Sequence, residues 1–312
     1  MGRTEIGSEF WEIPVCDKKN NLFEHDAKWF LSGRHALEYI IIDSEIKNIS
    51  MPRWCCESMI NPFRKHNVRI DFYDSEPNYS CDAVLIMDYF GFTNNKSYNK
   101  LFKYKGIVIR DLTQSLFSKK YNDADYYFGS LRKWAGFYTG GYAWGHWKKN
   151  IPIPSVDNRY LKLREEAMKL KKAFIEKKIE DKDYLNVYKE ANDMLNELNV
   201  CAAYPDDIKK AEYLDVDFIK SKRRNNARVL IKELQLDVEL NDSDVPLFVP
   251  IFIEKRNELR KFLIDNDIYC PVHWPNYDVN GTELSLICDQ RYDENEMMRM
   301  VRLIKKFKED DI

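Results

Sequence analysis

Gly106-Ile-Val-Ile-Arg-Asp111-Leu-Thr-Gln114-Ser115 is a β-branched run that ends on a carboxylate and, three residues later, an amide. Branched side chains favour a pleated, packed backbone, so residues 107–110 read as a strand with Asp111 at its carboxyl end. On its amino side, Ala83-Val-Leu-Ile-Met-Asp88 is a continuous apolar run of the kind buried on both faces of a parallel sheet. On its carboxyl side, Asp125-Tyr-Tyr-Phe-Gly-Ser130 is another extended run, followed by Leu-Arg-Lys133 and, further on, Thr139-Gly140-Gly141. Val68-Arg-Ile-Asp-Phe-Tyr73 alternates like a strand, and Ile49-Ser-Met-Pro52 is a short extended piece. Residues 56–66 and 96–103 have helical character and fall between these runs. Strand and helix in alternation predict an α/β layer with a mostly parallel sheet. Ligands bind beyond the carboxyl ends of such strands, and Asp88, Asp111 and Ser130 to Lys133 all fall there.

From about Asp157 the character changes. Residues 160–182, 184–198 and 218–234 read as charged helices. An extended run at 245–253, a helix at 255–266, two short strands and a closing helix at 294–308 follow. The division expected is a large domain over 1–215, linking helices included, and a small C-terminal α/β domain over 216–312.

Composition narrows the classes of partner. Across 312 residues, 49 basic and 51 acidic side chains give a formal charge of −2. That balance leaves no electrostatic footprint for nucleic acid or an anionic membrane. No apolar stretch approaches the roughly 20 residues of a membrane span. The first ten residues lack the apolar core of a secretory signal, and seven scattered cysteines form no disulfide or zinc pattern, so a cytoplasmic protein with reduced thiols is expected. His35, His66 and His146 have no metal or triad spacing, and no metal is expected.

The chemistry concentrates on Asp111 and Lys133. A carboxylate able to pair with a pyridinium nitrogen, plus a lysine able to form a Schiff base, is the minimum apparatus for pyridoxal phosphate (PLP) chemistry. An aromatic, apolar setting around Lys133 would disfavour its ammonium form and free the amine as a nucleophile. Asp111 reads equally as a helix cap after a strand. Gln114 could donate to a phenolic oxygen or do nothing. Ser32-Gly33-Arg34-His35-Ala36-Leu37 is a small-residue turn opening a helix, a candidate phosphate cradle to which Arg34 adds charge. Ser130 could contact the same phosphate. Trp54 is either a ring-stacking residue or a core tryptophan, and His273-Trp274-Pro275 either line a substrate mouth or form a packed turn.

These elements, in this order, resemble the DegT/StrS-type family of PLP-dependent sugar aminotransferases, whose fold is the aspartate aminotransferase-like fold type I. Ser32 to Leu37 resembles the family's Ser-Gly-Thr-x-Ala-Leu phosphate turn, and Asp111-Leu-Thr-Gln114-Ser its Asp-Ala-Ala-Gln-Ala segment. Phe128-Gly-Ser-Leu-Arg-Lys133 with Thr139-Gly-Gly141 resembles the Schiff-base lysine segment. Val272-His-Trp-Pro275 resembles the Val-His-Tyr-Pro of the small domain, Trp54 sits at the ring-stacking position, and Arg223-Arg224 resembles a basic pair opening the small domain. The chain departs from the family in lacking its Gly-x-Asn-Tyr-Arg-Met segment and in carrying serine at 130 for the frequent histidine. The resemblance implies a homodimer with PLP on Lys133, Asp111 at the ring nitrogen and Gln114 at the phenolic oxygen. It also implies Ser32, Gly33, Arg34 and Ser130 at the phosphate, and His273 and Trp274 toward substrate. The activity implied is transfer of an amino group, from glutamate, to a keto-sugar nucleotide or similar carbonyl compound. Another PLP reaction (sugar dehydration or decarboxylation) and a non-catalytic regulator are the alternatives.

Overall fold

A computed structural model describes residues 5–24, 26–93, 100–119, 121–274 and 281–310. Pro275 and residues 96–99, which belong to expected elements, lie outside these. Among the described residues the strands are β1 (Ile6–Gly7), β2 (Lys28–Phe30), β3 (Asn48–Pro52), β4 (Arg69–Tyr73), β5 (Ala83–Met87), β6 (Ile107–Asp111), β7 (Tyr126–Ser130), β8 (Gly141–Gly145), β9 (Phe248–Phe252), β10 (Ile268–Tyr269) and β11 (Glu283–Ile287). The helices are α1 (Gly33–Ser44), α2 (Glu57–Lys65), α3 (Asn158–Ile175), α4 (Tyr184–Met194), α5 (Pro205–Glu212), α6 (Val216–Leu234), α7 (Arg256–Ile264) and α8 (Glu294–Asp310).

Seven described strands form one sheet in the order β2-β8-β7-β6-β5-β3-β4. The pairs β4/β3, β3/β5, β5/β6 and β6/β7 are parallel, and β8 and β2 close one edge antiparallel. Every residue of β5 and of β7 is buried, as strands covered on both faces must be. The chain runs from β3 outward to β4 and then returns past β3 to β5, so the strand order reverses between β3 and β5. Register aligns Met87 with Asp111 and Asp111 with Phe128, which sets the ends of β5, β6 and β7 side by side.

The main core packs α1 and α2 on this sheet around Leu37, Ile40, Ile60, Phe63 and Leu85. A second core gathers Leu230, Val249, Leu259, Leu284 and Met300 from α6, α7, α8 and the antiparallel pair β9/β11. Ile6 joins that second core, and β1 pairs in parallel with β10, so the chain's amino-terminal end is tied to its carboxyl-terminal unit.

Some helix limits differ from the sequence reading. Helix α3 begins at Asn158 because the Asp157 carboxylate accepts the backbone N–H groups of Arg159 and Tyr160 at 2.7 and 3.1 Å. It ends at Ile175, where Lys177 takes a left-handed φ of 60°, rather than reaching residue 182. Of the helix expected over 96–103, only a 3-10 turn at Leu101–Lys103 is described.

Candidate active site

A cavity of about 780 Å³ opens at the carboxyl ends of β5, β6 and β7. Ser32, Gly33, Arg34, Asp111, Gln114, Ser130, Lys133, His273 and Trp274 all line it, although they come from distant parts of the chain.

Asp111 is the last residue of β6 and is 2% exposed. One of its carboxylate oxygens accepts the Thr113 N–H at 2.7 Å. Burial pushes its pKa up to about 6, against the smaller opposing pull of Thr113 and of the Lys133 charge. A carboxylate so placed is short of donors, and a cationic N–H in the cavity would supply what Thr113 alone does not.

Gln114 is buried nearby, and its Oε1 accepts the Phe90 N–H at 2.5 Å. Because a backbone N–H can donate only to the amide oxygen, this bond fixes the orientation of the amide and leaves Nε2 as the donor.

Lys133 closes a 3-10 turn, Leu131–Lys133, immediately after β7. The next residue anchors it: the Trp134 ring is fully buried, donates from Nε1 to the Thr113 carbonyl at 2.9 Å, and lies beneath the Arg223 guanidinium at 4.6 Å. Lys133 itself is exposed, so the apolar enclosure expected around its amine is not found. The aromatic neighbours in sequence point inward, and the turn directs the lysine out of the core.

The glycines after Lys133 serve packing. Gly140 has φ of 117° and its carbonyl accepts the Leu131 N–H at 2.8 Å. At Gly141 a Cβ would stand 2.1 Å from the Ser32 carbonyl oxygen, so only glycine lets β8 approach the turn before α1. Gly33 is similarly tight, its Cβ position lying 3.2 Å from the Gly129 carbonyl oxygen and from Ser130 Cβ.

That turn keeps backbone donors open. The Ser32 carbonyl accepts the N–H groups of His35 and Ala36, while those of Gly33 and Arg34 have no backbone partner among the described residues. The Ser32 hydroxyl, expected at a phosphate, is turned to His35 instead. His35 Nε2 lies 3.1 Å from the Leu198 carbonyl, an acceptor only, so this nitrogen carries the proton. His35 is 1% exposed, and burial lowers its pKa to about 4. Its neutral Nδ1 therefore accepts from Ser32 Oγ at 2.8 Å. Ser130, 9% exposed, has no hydrogen-bond partner for its hydroxyl among the described residues.

Trp54 does not line the cavity. Its ring packs edge-on against Trp274 at 6.3 Å, in a cluster with Phe90 and Phe92. Trp274 has a left-handed φ of 50°, and His273 beside it is held by a chain of bonds. Ser285 Oγ donates to Glu283 Oε1 at 2.5 Å and lies 2.7 Å from His273 Nδ1, and the Glu283 carboxylate also accepts the His273 N–H at 2.8 Å. The Ser285 proton being taken by Glu283, His273 Nδ1–H donates to Ser285 and Nε2 is left to accept.

Arg132 and Arg223 line the cavity and escaped the reading as site residues. Arg132 was unremarkable beside Lys133. Arg223, noted only as half of a basic pair, is fully buried and donates to Gln290 Oε1 and to the Pro246 and Leu247 carbonyls. Among the described residues no group of three or more His, Cys, Asp or Glu is placed to hold a metal, and no helix is long and apolar enough to cross a membrane.

No family model matches the chain, and no curated protein matches it. Solved structures do. A DegT DnrJ EryC1 StrS aminotransferase from Brucella abortus superposes with a TM-score of 0.59 at 14% identity, over 90% of this chain and 85% of that one. The sugar aminotransferase CalS13 from Micromonospora echinospora gives 0.58 at 14%, over 90% and 87%. The ntda protein from Bacillus subtilis, with bound cofactor PMP, gives 0.61 at 14%, over 91% and 74%. At such identities the likeness is one of architecture, and the chain has the fold type I of the DegT/StrS-type aminotransferases.

Proposed function

We propose that the protein is a PLP-dependent aminotransferase, and one observation carries the reading. Asp111, buried and short of donors, shares a cavity with Lys133, Gln114, and the open backbone donors of Gly33 and Arg34. The donor set suits each part of PLP. Lys133 would hold it covalently, the Gly33–Arg34 turn and Ser130 would hold its phosphate, Gln114 Nε2 its phenolic oxygen and Asp111 its ring nitrogen. The bound PMP named for the Bacillus subtilis neighbour supports the same cofactor class. When bound, the cofactor supplies an electron sink for the carbanion left when a substrate loses its α-proton.

The remaining work falls to the chain. Asp111 would keep the ring nitrogen protonated, and that interaction would return the carboxyl to its ionised form. Lys133 Nζ would be the base and acid that moves a proton on and off the substrate carbon, and its exposure leaves it free to swing. Trp134 fixes the backbone from which it reaches. His273 Nε2 is an acceptor for a substrate hydroxyl. Glutamate as donor and a keto-sugar nucleotide as acceptor follow from the family likeness, as does a homodimer.

The test is the visible spectrum of protein loaded with PLP, recorded before and after glutamate. A yellow band that bleaches supports transamination, and Lys133→Ala should abolish both the band and turnover. A band indifferent to glutamate points to another donor or another PLP reaction. Full transamination by Lys133→Ala would sink the assignment.

A further inference from the structure

Beside the turn that opens α1, two guanidinium groups face the cavity with no carboxylate in ion-pair contact among the described residues, Glu9 acting on Arg132 only from a distance. Arg34 donates from Nη1 to Asn196 Oδ1. Arg132 donates from Nη2 to Asn192 Oδ1 at 2.7 Å, and its buried Nε has no acceptor. Asn192 lies in the last turn of α4 and Asn196 two residues beyond its end, so the close of that helix brackets both arginines. Burial disfavours the Arg132 charge, and the repulsion of Arg164 and Arg34 adds to it against the pull of Tyr160 and Glu9; Arg164 is 2% exposed, with Nε and Nη1 unpartnered. None of the three forms an ion pair among the described residues, and Asp193, between the asparagines, bonds Lys189 instead.

Asparagine can orient a guanidinium but cannot balance its charge. Gathering like charges in partly buried ground, with a donor left empty, is unfavourable unless an anion completes the site. Its other walls are suited to the same ligand: the free N–H groups of Gly33 and Arg34, and the nine-tenths buried Ser130 hydroxyl with no partner among the described residues. Planar guanidinium forks match tetrahedral oxyanions.

We propose that Arg132, paired with Arg34 through Asn192 and Asn196, is a phosphate-binding residue, and that its ligand is the phosphate monoester of the cofactor. The assignment rests on the PLP reading above. It also accounts for the placement of α4, whose Asn192, with Asn196 just past its end, positions the guanidiniums that meet the dianion. A substrate phosphate is the other source of the same chemistry, and the experiment separates the two.

The first arm measures binding of inorganic phosphate to the protein without cofactor, by calorimetry, in wild type and in Arg132→Gln. The second compares the affinities of PLP and pyridoxal, which differ only in the phosphate, by absorbance titration. Expected are phosphate binding that falls about 10- to 100-fold in Arg132→Gln and a PLP-over-pyridoxal preference that collapses by the same factor, with pyridoxal affinity unchanged. Arg132→Lys should restore part of the preference, and Asn192→Leu, which leaves Arg132 in place, should reduce it. A merely structural arginine would lower both affinities together. Equal phosphate binding by wild type and Arg132→Gln overturns the proposal. Phosphate binding lost with the PLP-to-pyridoxal ratio intact overturns the cofactor as the source and assigns the anion to substrate. Wild type that binds phosphate through Arg132 but takes up neither PLP nor pyridoxal overturns the PLP reading and, with it, the cofactor as ligand, while the anion site stands.

Discussion

Gln114 Oε1 accepts the backbone N–H of Phe90 at 2.5 Å, and Phe90 holds a left-handed φ of 60° that an aromatic residue rarely adopts. One amide thus braces a strained turn at the end of β5 and presents its other end as a donor. Gln114→Leu removes both functions. The buried Phe90 N–H, left without an acceptor, should lower stability by about 1–3 kcal/mol in urea denaturation. Unchanged stability would show that the turn holds itself.

The turn before α1 makes a stricter demand. A Cβ at Gly141 would stand 2.1 Å from the Ser32 carbonyl oxygen; strands on both sides hold Gly141, and the first turn of α1 holds the carbonyl. Gly141→Ala should therefore cost on the order of 3 kcal/mol or more and displace the amino-terminal end of α1. Denaturation midpoints check the first effect and phosphate affinity the second. A normal midpoint would mean that β8 can retreat from the turn.

Contacts of this kind mark the boundary of what the sequence could reveal. Strands β5 and β6 were legible because continuous apolar runs have few other uses, and the placement of Asp111, Gln114 and Lys133 on one cavity because each follows from position at the end of such a strand. Strand β2, three residues long, and β8, with glycine at both ends, carry too little pattern to read. Helix α5 begins at Pro205 with Asp206 and Asp207 in its first turn, but its eight residues were too few to stand out. The Arg132–Asn192 bond joins residues 60 positions apart, and nothing local encodes it. Trp54 shows the opposite failure: an aromatic at a strand end was evident, but not the direction of its ring, which packing on Trp274 decides.

His273 provides a test away from the cofactor. Its Nδ1–H donates to Ser285 Oγ, which donates in turn to Glu283, and this order fixes Nε2 as an acceptor. Ser285→Ala removes the middle of the chain, with the Glu283 carboxylate 3.9 Å from the ring and too distant to replace it. The KM for the carbonyl acceptor should rise about tenfold while the reaction with the amino donor alone stays normal. Equal losses in both half-reactions would remove His273 from acceptor recognition.

The pH dependence of stability separates Asp111 from His35, two buried groups whose pKa values are displaced in opposite directions. Folded Asp111 keeps its proton up to about pH 6, whereas an unfolded aspartate releases it near 3.8. The folded state therefore binds the extra proton between these values, and this contribution to stability falls as pH rises through the window. Folded His35 refuses a proton down to about pH 4, whereas an unfolded histidine accepts one near 6.5, so its contribution rises with pH over nearly the same range. Each amounts to about 3 kcal/mol in opposite directions, so the two contributions nearly cancel between pH 4 and 6.5 in wild type. Asp111→Asn, which keeps an acceptor for Thr113, should gain about 3 kcal/mol at pH 7.5 and lose the advantage on acidification. His35→Gln should leave only the Asp111 contribution, with stability falling as pH rises from 4 to 6. Urea denaturation across that range decides the matter, and no gain for Asp111→Asn at pH 7.5 would show that the carboxylate is not strained by burial. A gain accompanied by loss of transamination would mean that the chain tolerates an unfavourable buried charge until a cationic ring arrives to meet it.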